Sequence, residues 1–154
     1  MFLYLVQHAE AKSEEEDPAR DLTARGCIDI EDVAHQLKRL NVQVNRIVHS
    51  GKTRAKSTAN VLGRHIRPQA GVSEAPGLAP LDDPEIWAGR LATLDEDILL
   101  VGHLPHLARL AAILVSGDKE RMVINFQVGG VVRLRRMEPG QWAVDWMIVP
   151  EIIL

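Results

Sequence analysis

The sequence predicts a three-layer α/β fold, in which a mostly parallel sheet carries helices on both faces and ends in a C-terminal hairpin. Short apolar runs typical of strands occur at 2–6, 46–49, 98–101, 128–136 and 141–149. Helical patterns, with apolar residues every three or four positions, separate the first three runs. Strands that alternate with helices favour parallel pairing, whereas the last two runs follow each other directly and favour a hairpin.

The first two helices follow the first two strands. Thr23 is a suitable N-cap for a helix whose apolar positions are Ile30, Val33, Ala34, Leu37 and Leu40. The second helix begins just after Ser50 and Gly51 and carries Ala55, Ala59, Leu62 and Ile66. Each set marks one apolar face, which we expect to pack on the sheet.

The remaining elements are set by proline and glycine. Four prolines in the segment 66–84 indicate an irregular loop with at most one short strand. Pro105 falls in the first turn of a third helix, which Gly117 ends. Glu138-Pro139-Gly140 is a turn signal between the last two strands. In the final strand, the alternation of Trp142, Val144 and Trp146 predicts that the three side chains share one face.

Length and composition narrow the class of protein. The chain has 154 residues, of which 46% are hydrophobic and 25% charged, so we expect one globular domain spanning 1–154. No apolar stretch is long enough to cross a bilayer and no signal peptide is visible, which predicts a cytoplasmic protein without a membrane partner. A net charge of -3 argues against a nucleic-acid partner. Cys27, the single cysteine, has no partner for an internal disulfide.

Two histidines lie at the ends of predicted strands. His8 ends the first apolar run, within Gln7-His8-Ala9, and His103 follows the run at 98–101. Open α/β sheets bind their ligands at the carboxyl ends of strands. Two such histidines are compatible with a metal site, a general base or phosphoryl transfer, so the neighbouring residue types must decide between them.

The neighbours are cationic. Arg20 follows the first strand, while Lys52 and Arg54 fall in the first turn of the second helix, directly after Ser50. A helix N-terminus presents free N–H groups and the positive end of a dipole, and arginine matches the oxygens of a phosphate. We therefore predict an anion site. His49, at the end of its strand, is a further candidate for lining the site, with a packing role as the alternative.

Four segments in order resemble the histidine phosphatase superfamily, and especially its SixA-like phosphohistidine phosphatases. They are Leu5-Val6-Gln7-His8-Ala9-Glu10, Arg20-Asp21-Leu22-Thr23-Ala24-Arg25-Gly26, Ser50-Gly51-Lys52-Thr53-Arg54-Ala55 with Thr58-Ala59, and Val101-Gly102-His103-Leu104-Pro105. The resemblance covers most of the chain and implies a phosphoglycerate mutase-like fold in one histidine phosphatase-like domain.

The resemblance also implies roles for individual residues. His8 would accept the phosphoryl group, with His103 and Arg54 as further catalytic residues. Substrate binding would fall to Gln7, Arg20, Arg54, Lys52, Ser50 and Leu104. Neutral imidazole is a good nucleophile near neutral pH, and its phosphorylated form is readily hydrolysed. This scheme needs no metal and no cofactor.

Two residues depart from the family pattern, which reads Arg-His-Gly where this chain has Gln7-His8-Ala9. Gln7 can donate to a phosphate oxygen but carries no charge, so we expect weaker phosphate binding and reduced activity. Ala9 disfavours a positive φ, so ordinary backbone is expected after His8.

The sequence contains no strong candidate for a general acid or for a metal site. The candidate acids Glu74, Asp82, Asp83 and Glu85 are typical of exposed loops and helix starts. His103 and His106 have a spacing that suits a metal but lack further ligands. His35 and His65 fall within helical patterns and are interpreted as ordinary surface residues. We expect no metal site.

The sequence therefore predicts a phosphatase that acts through a phosphohistidine intermediate on His8. The favoured substrate is a phosphohistidine-containing protein, which implies a role in signal transduction. A small-molecule phosphomonoesterase is the first alternative, and a mutase a weaker one. A low-activity phosphate-binding or phosphoprotein-binding module, weakened by Gln7 and Ala9, is the alternative from another class.

Overall fold

The computed structural model describes residues 1–153, in which six strands and four longer helices alternate along most of the chain. The strands are β1 (Phe2–Gln7), β2 (Arg46–His49), β3 (Val72–Glu74), β4 (Ile98–Gly102), β5 (Val131–Glu138) and β6 (Gln141–Ile148). The helices are α1 (Ala24–Arg39), α2 (Thr53–Ile66), α3 (Pro84–Thr93) and α4 (His106–Ser116), followed by a 3-10 turn at Pro150–Ile152.

All six strands form one sheet in the order β3-β2-β4-β1-β5-β6. The first four strands in the chain run parallel, β5 is antiparallel to β1, and β6 pairs with β5 as the predicted hairpin. The mostly parallel sheet is therefore confirmed. The predicted run at 128–136 enters the sheet only at Val131, because a turn with Gly129 in a positive-φ conformation precedes it.

Helices cover both faces of the sheet, as predicted. On one face, Tyr4, Val6 and Val101 pack with buried residues of α1 and α2. On the other, Leu5 and Leu100 pack with buried residues of α3 and α4. Alternate residues of the central strands thus enter two separate cores. Parallel strands buried on both faces account for the continuous apolar runs of the sequence.

The helix ends confirm most of the predictions. Thr23 is the N-cap of α1, and its side chain accepts a hydrogen bond from the N–H of Gly26. Gly117 ends α4 in the left-handed conformation. Leu40, predicted as an apolar helical position, instead lies just beyond α1 and is half exposed. Lys52 is the N-cap of α2 rather than part of its first turn.

Helix α3 was not predicted from the sequence, and its buried face is narrow. Asp83 caps it by accepting from the N–H of Glu85, and Pro84 occupies its first turn. Trp87 and Leu91, one turn apart, are its main apolar anchors, whereas Ile86 is exposed. An apolar face of so few residues gives little helical periodicity.

A bulge in β6 corrects the prediction for its tryptophans. Arg133 pairs with Trp146 and Leu134 with Val144, so Asp145 is an extra residue in the ladder. Trp142 packs in the α3–α4 core, whereas Trp146 packs against the α1–α2 core. The prediction that they share one face was therefore wrong, because an inserted residue reverses the alternation.

Within residues 1–153, no helix combines the length and apolar character that a membrane crossing requires.

Candidate active site

The sheet order brings three predicted site residues to neighbouring strand ends. His8 directly follows β1, His103 follows β4 and Ser50 follows β2. Because β4 lies between β2 and β1, His103 occupies the middle position. The rings of His8 and His103 lie with their centroids 5.1 Å apart and their planes at 52°. Parallel pairing therefore places these residues, separated by up to 95 positions in the chain, along one edge.

A backbone hydrogen bond orients the His8 ring. Its Nδ1–H donates to the carbonyl of Ala9 at 2.8 Å, because a carbonyl can only accept. The neutral imidazole then carries its lone pair on Nε2. The N–H of His8 donates to the carbonyl of Gly102 at 3.1 Å, which ties this residue to the strand that leads into His103.

The surroundings of His8 keep its ring neutral. Burial lowers the pKa of the His8 imidazole below its ordinary value, and the charges of Arg54 and Arg20 act in the same direction. The hydrogen bond to Ala9 opposes this lowering without cancelling it. The unprotonated form, which a nucleophile requires, is therefore favoured at neutral pH.

His103 is more deeply buried than His8 and is held by Ser50. The residue is 2% exposed, and a hydrogen bond of 2.6 Å joins its Nε2 to Ser50 Oγ. Its Nδ1 is buried and has no hydrogen-bond partner in the described part of the chain. Burial lowers the pKa of His103 to about 3, and the charges of His8, Arg54 and Lys52 contribute to this shift. The ring is therefore neutral at neutral pH.

Three cationic side chains act on this pair of histidines. Arg54 lies in the first turn of α2, and its Nε is buried with no partner among residues 1–153. Arg20 is held by its Nε–H, which donates to the carbonyl of Lys12 at 3.0 Å, and its backbone has a φ of 51°. Lys52, the N-cap of α2, acts on His103. Among residues 1–153 no carboxylate forms an ion pair with Arg54, and Glu14 acts on its charge only from a distance.

In the part of the chain that the structure describes, the two helices that begin at the site, α2 and α4, lack the side-chain caps that α1 and α3 have. Across the described residues, no side chain caps α2 or α4, whose N-terminal ends follow Ser50 and His103. By contrast, Thr23 caps α1 and Asp83 caps α3. Uncapped first-turn N–H groups are available to an anion, and the helix dipole favours negative charge there.

Thr58 is a site residue that was not predicted from the sequence, although it belongs to one of the four segments that resemble the histidine phosphatase superfamily. It is wholly buried, accepts a hydrogen bond from the N–H of Ala9 at 3.0 Å, and donates to the carbonyl of Arg54 at 2.8 Å. One hydroxyl therefore connects the backbone beside His8 to the helical turn that carries Arg54. The signal for this role in the sequence was the position of Thr58, which stands four residues after Arg54 of the first turn of α2.

A second link holds the loop of Arg20. Ser57 on α2 donates to the carboxylate of Asp21 at 2.7 Å, which also accepts from the N–H of Leu22. An isolated antiparallel β-bridge between Ala11 and Leu22 also joins the two ends of this loop. The position of Arg20 is thus fixed relative to Arg54 through α2.

The two departures from the family pattern lie beside His8. Gln7 ends β1, and its Oε1 is buried without a partner in the region that the structure describes. Ala9 is wholly buried and is absent from the positive-φ residues, which are Arg20, Asn41 and Arg67 apart from glycines. The prediction of ordinary backbone at Ala9 is confirmed.

Most of the other residues considered as lining residues or general acids make hydrogen bonds that support turns and helix ends. His49 is buried, and its Nδ1 accepts from the N–H of Gly51, so its ring supports the turn before α2. Asp82 accepts from the N–H of Ala79 at 2.9 Å, and Asp83 caps α3. Glu74 and Glu85 are exposed, although the side chain of Glu74 lies against Gly51.

Leu104 and His106 follow His103 with different exposure. Leu104 is 39% exposed, beside the start of α4. His106 is wholly buried, and burial lowers its pKa. The only group of three or more metal-compatible side chains among residues 1–153 lies elsewhere and includes neither His103 nor His106.

Comparison with known proteins identifies relatives across almost the whole chain, although no family model matches. Phosphohistidine phosphatase SixA of Escherichia coli K12 is 25% identical over 155 residues, covering 97% of this chain and 94% of the relative. A solved structure of the protein histidine phosphatase SixA complexed with tungstate superposes with a TM-score of 0.87 at 24% identity, covering 97% of each chain. A putative alpha-ribazole-5'-P phosphatase from Escherichia coli shares the fold, with a TM-score of 0.78 at 18% identity over 97% of this chain and 98% of that one. The chain is therefore a SixA-like member of the histidine phosphatase superfamily.

Proposed function

We propose that this protein is a phosphatase that removes the phosphoryl group from phosphohistidine on a protein, through a phosphohistidine intermediate on His8. The observation that carries the proposal is the neutral ring of His8, whose Nε2 is left free by the Nδ1–H bond to Ala9. Arg54, Arg20 and the N-terminus of α2 surround it with positive charge. The similarity to SixA of Escherichia coli supports the same activity.

In the first step, Nε2 of His8 attacks phosphorus and forms a new P–N bond. The P–N bond of the substrate breaks, and the departing imidazole retains that electron pair and takes up a proton from the solvent. In the second step, water attacks the phosphorylated His8, releases inorganic phosphate and restores the neutral ring. The hydrogen bond from Nδ1–H to Ala9 keeps the ring in one orientation through both steps.

The cations and helix ends stabilise the transferring group. Charge spreads over the three equatorial oxygens as phosphorus passes between nitrogen atoms. Arg54 and Arg20 neutralise part of this charge, and the uncapped N–H groups of α2 add donors. A phosphate dianion beside His103 raises its pKa from the low value of the free protein, so that the protonated ring becomes a further donor.

The carboxylates favour phosphohistidine over phosphate esters. Asp82 and Asp83 each accept from a backbone N–H, and every charged neighbour that acts on His103 lowers its pKa rather than raising it. An imidazole leaving group departs from a weak P–N bond and needs little acid catalysis, whereas an alkoxide needs a positioned acid. The site therefore provides cations for the phosphoryl group, whereas Asp82 and Asp83 are occupied by backbone hydrogen bonds and are not placed as general acids.

A small-molecule phosphomonoesterase is the second candidate. It is favoured by Glu74, whose exposed carboxylate lies against Gly51 in the turn that follows Ser50. A phosphohistidine substrate would instead place the protein in cytoplasmic signal transduction, with a phosphorylated protein as its partner.

The intermediate is tested by incubating the protein with a labelled phosphohistidine-containing protein and quenching within milliseconds to seconds. We expect label on wild type that is labile in acid and stable in base, and none on His8→Ala. His35→Gln is the matched control, because it removes an exposed histidine of α1 and leaves the strand-end residues intact. Tight phosphate binding without label or turnover would instead establish a binding module.

The substrate class is tested by comparing kcat/KM for phosphohistidine on a protein with that for p-nitrophenyl phosphate. We expect the first to be higher, and Glu74→Gln to leave it unchanged. A larger kcat/KM for the ester, together with its loss in Glu74→Gln, would favour the phosphomonoesterase.

A further inference from the structure

A second cluster of histidine and carboxylate side chains lies on the outer side of α1 and α2. Glu31 and His35 are one turn apart on α1, and His65 is in the last turn of α2. One ligand atom from each of the three residues lies within 4.8 Å of the other two. This cluster could not be predicted from the sequence, because its two histidines lie on different helices and are brought together only by helix packing.

The side chains of this cluster are already in polar and ring contact with one another. Nε2 of His65 lies 2.7 Å from Oε2 of Glu31, and the two imidazole rings meet edge to face at 4.5 Å. The Nδ1–H of His35 donates to the backbone carbonyl of Glu31 at 2.9 Å, which leaves Nε2 with the lone pair. Metal-binding histidines are commonly oriented by such a bond from the other ring nitrogen.

We propose that Glu31, His35 and His65 bind a divalent transition-metal ion, with Zn²⁺ as the preferred probe. Two imidazole nitrogens and one carboxylate oxygen are a donor set that zinc accepts, with a fourth position left to water. Ligands of a tetrahedral zinc lie about 3.3 Å apart, given metal–ligand distances of about 2.0–2.1 Å. The ligand atoms, which now lie within 4.8 Å of one another, must therefore move closer together, and the exposed position of His35 leaves room for a small shift that keeps its bond to the Glu31 carbonyl.

Arg64 competes with the ion for the same carboxylate. Its Nη2 lies 2.9 Å from Oε1 of Glu31, while His65 contacts Oε2. Because the two contacts use different oxygens of the carboxylate, the ion would enter between Oε2 and His65, with Arg64 retained on Oε1.

The cluster is separate from the phosphoryl site. His65 is eleven residues beyond Arg54 on the same helix, which corresponds to about 16 Å along the axis. An ion here would join the end of α2 to the middle of α1, two helices that cover the same face of the sheet. Its effect would be to stabilise the packing of these helices, with no part in the phosphoryl transfer.

The test is calorimetric titration of the metal-free protein with Zn²⁺ at neutral pH. We expect one equivalent bound by wild type and by His8→Ala, and loss of that equivalent in His35→Gln and His65→Gln. Asp29→Asn is the matched control, because Asp29 is also an arginine-paired carboxylate of α1 but lies outside the cluster. Arg64→Gln removes the competing cation and should increase the affinity.

Thermal unfolding gives a second readout that does not depend on activity. At free Zn²⁺ about 100 times the Kd, the midpoint should rise by on the order of 5–10 °C in wild type and remain unchanged in His35→Gln. Because His35 is exposed, that variant is expected to fold normally. Binding that follows His8 instead of His65, or no bound equivalent in wild type, would overturn the proposal.

Discussion

Ser50 Oγ lies 2.6 Å from His103 Nε2, and this contact joins the ends of β2 and β4 directly beside His8. Since Nδ1 of His103 has no partner in the described chain, the contact with Ser50 is the hydrogen bond that orients the ring. Ser50 also accepts from the N–H of Lys52 at 3.3 Å, so the same hydroxyl contacts the residue that caps α2.

Replacing Ser50 by alanine should lower kcat/KM for phosphohistidine by about 2–12-fold, because one hydrogen bond worth about 0.5–1.5 kcal/mol is removed from His103. Steady-state kinetics measure the change. Ser73→Ala, at an exposed position of β3, is the control and should leave kcat/KM unaltered. An unchanged rate in Ser50→Ala would show that His103 needs no support from this side chain.

Replacing Gln7 by arginine should tighten phosphate binding. A charge-assisted hydrogen bond is about twice as strong as a neutral one, so a gain of about 1–2 kcal/mol, or about 5–30-fold in Kd, is expected. Calorimetric titration with inorganic phosphate measures it. Gln7→Leu, which has neither charge nor donor, serves as the comparison, and equal affinities for the two variants would place Gln7 outside the phosphate pocket.

Thr58→Val should reduce both stability and turnover. The N–H of Ala9 loses its partner in a buried position, which costs about 1–3 kcal/mol of unfolding free energy. The backbone beside His8 is also released from Arg54, so kcat should fall more than KM changes. Urea unfolding and steady-state kinetics provide the two measurements. Thr58→Ser keeps the hydroxyl and should restore most of kcat; failure to do so would assign the effect to packing alone.

The stability of the protein should decrease as the pH falls below neutrality. The pKa of His103 is about 3 in the folded protein and about 6.5 when unfolded, so the unfolded chain binds the additional proton. The contribution of this group is present above pH 6.5 and is lost progressively down to about pH 3. Between pH 6.5 and 4.5 the loss is about 2 kcal/mol.

This pH dependence is checked by urea unfolding of wild type and His103→Asn at several pH values. The difference between the two proteins should isolate His103, because His8, His49 and His106 also have lowered pKa values and contribute with the same sign. Parallel pH profiles for wild type and variant would contradict the deep burial of an uncharged His103.

Some of the site was visible in the sequence because its residues stand at ends of elements. Apolar runs ending at His8 and before His103 predicted their strand-end positions, and Ser50 with Arg54 marked the start of α2. These are local signals, since period, capping and chain order depend only on neighbours in sequence. The α/β class, the parallel sheet and the hairpin followed from the same signals.

Other features depended on tertiary contacts. Thr58 acquires its role from Ala9, forty-nine positions away, and Glu31 meets His65 only because α1 packs on α2. The bulge at Asp145, which sends Trp146 to the opposite face from Trp142, leaves no clear local pattern. The fold class and the strand-end positions of the two histidines could be predicted from residue order alone, since periodicity and chain order are local. Which polar atoms meet, and which titratable groups are held uncharged, depended on the packed fold, because burial and hydrogen bonding arise between elements.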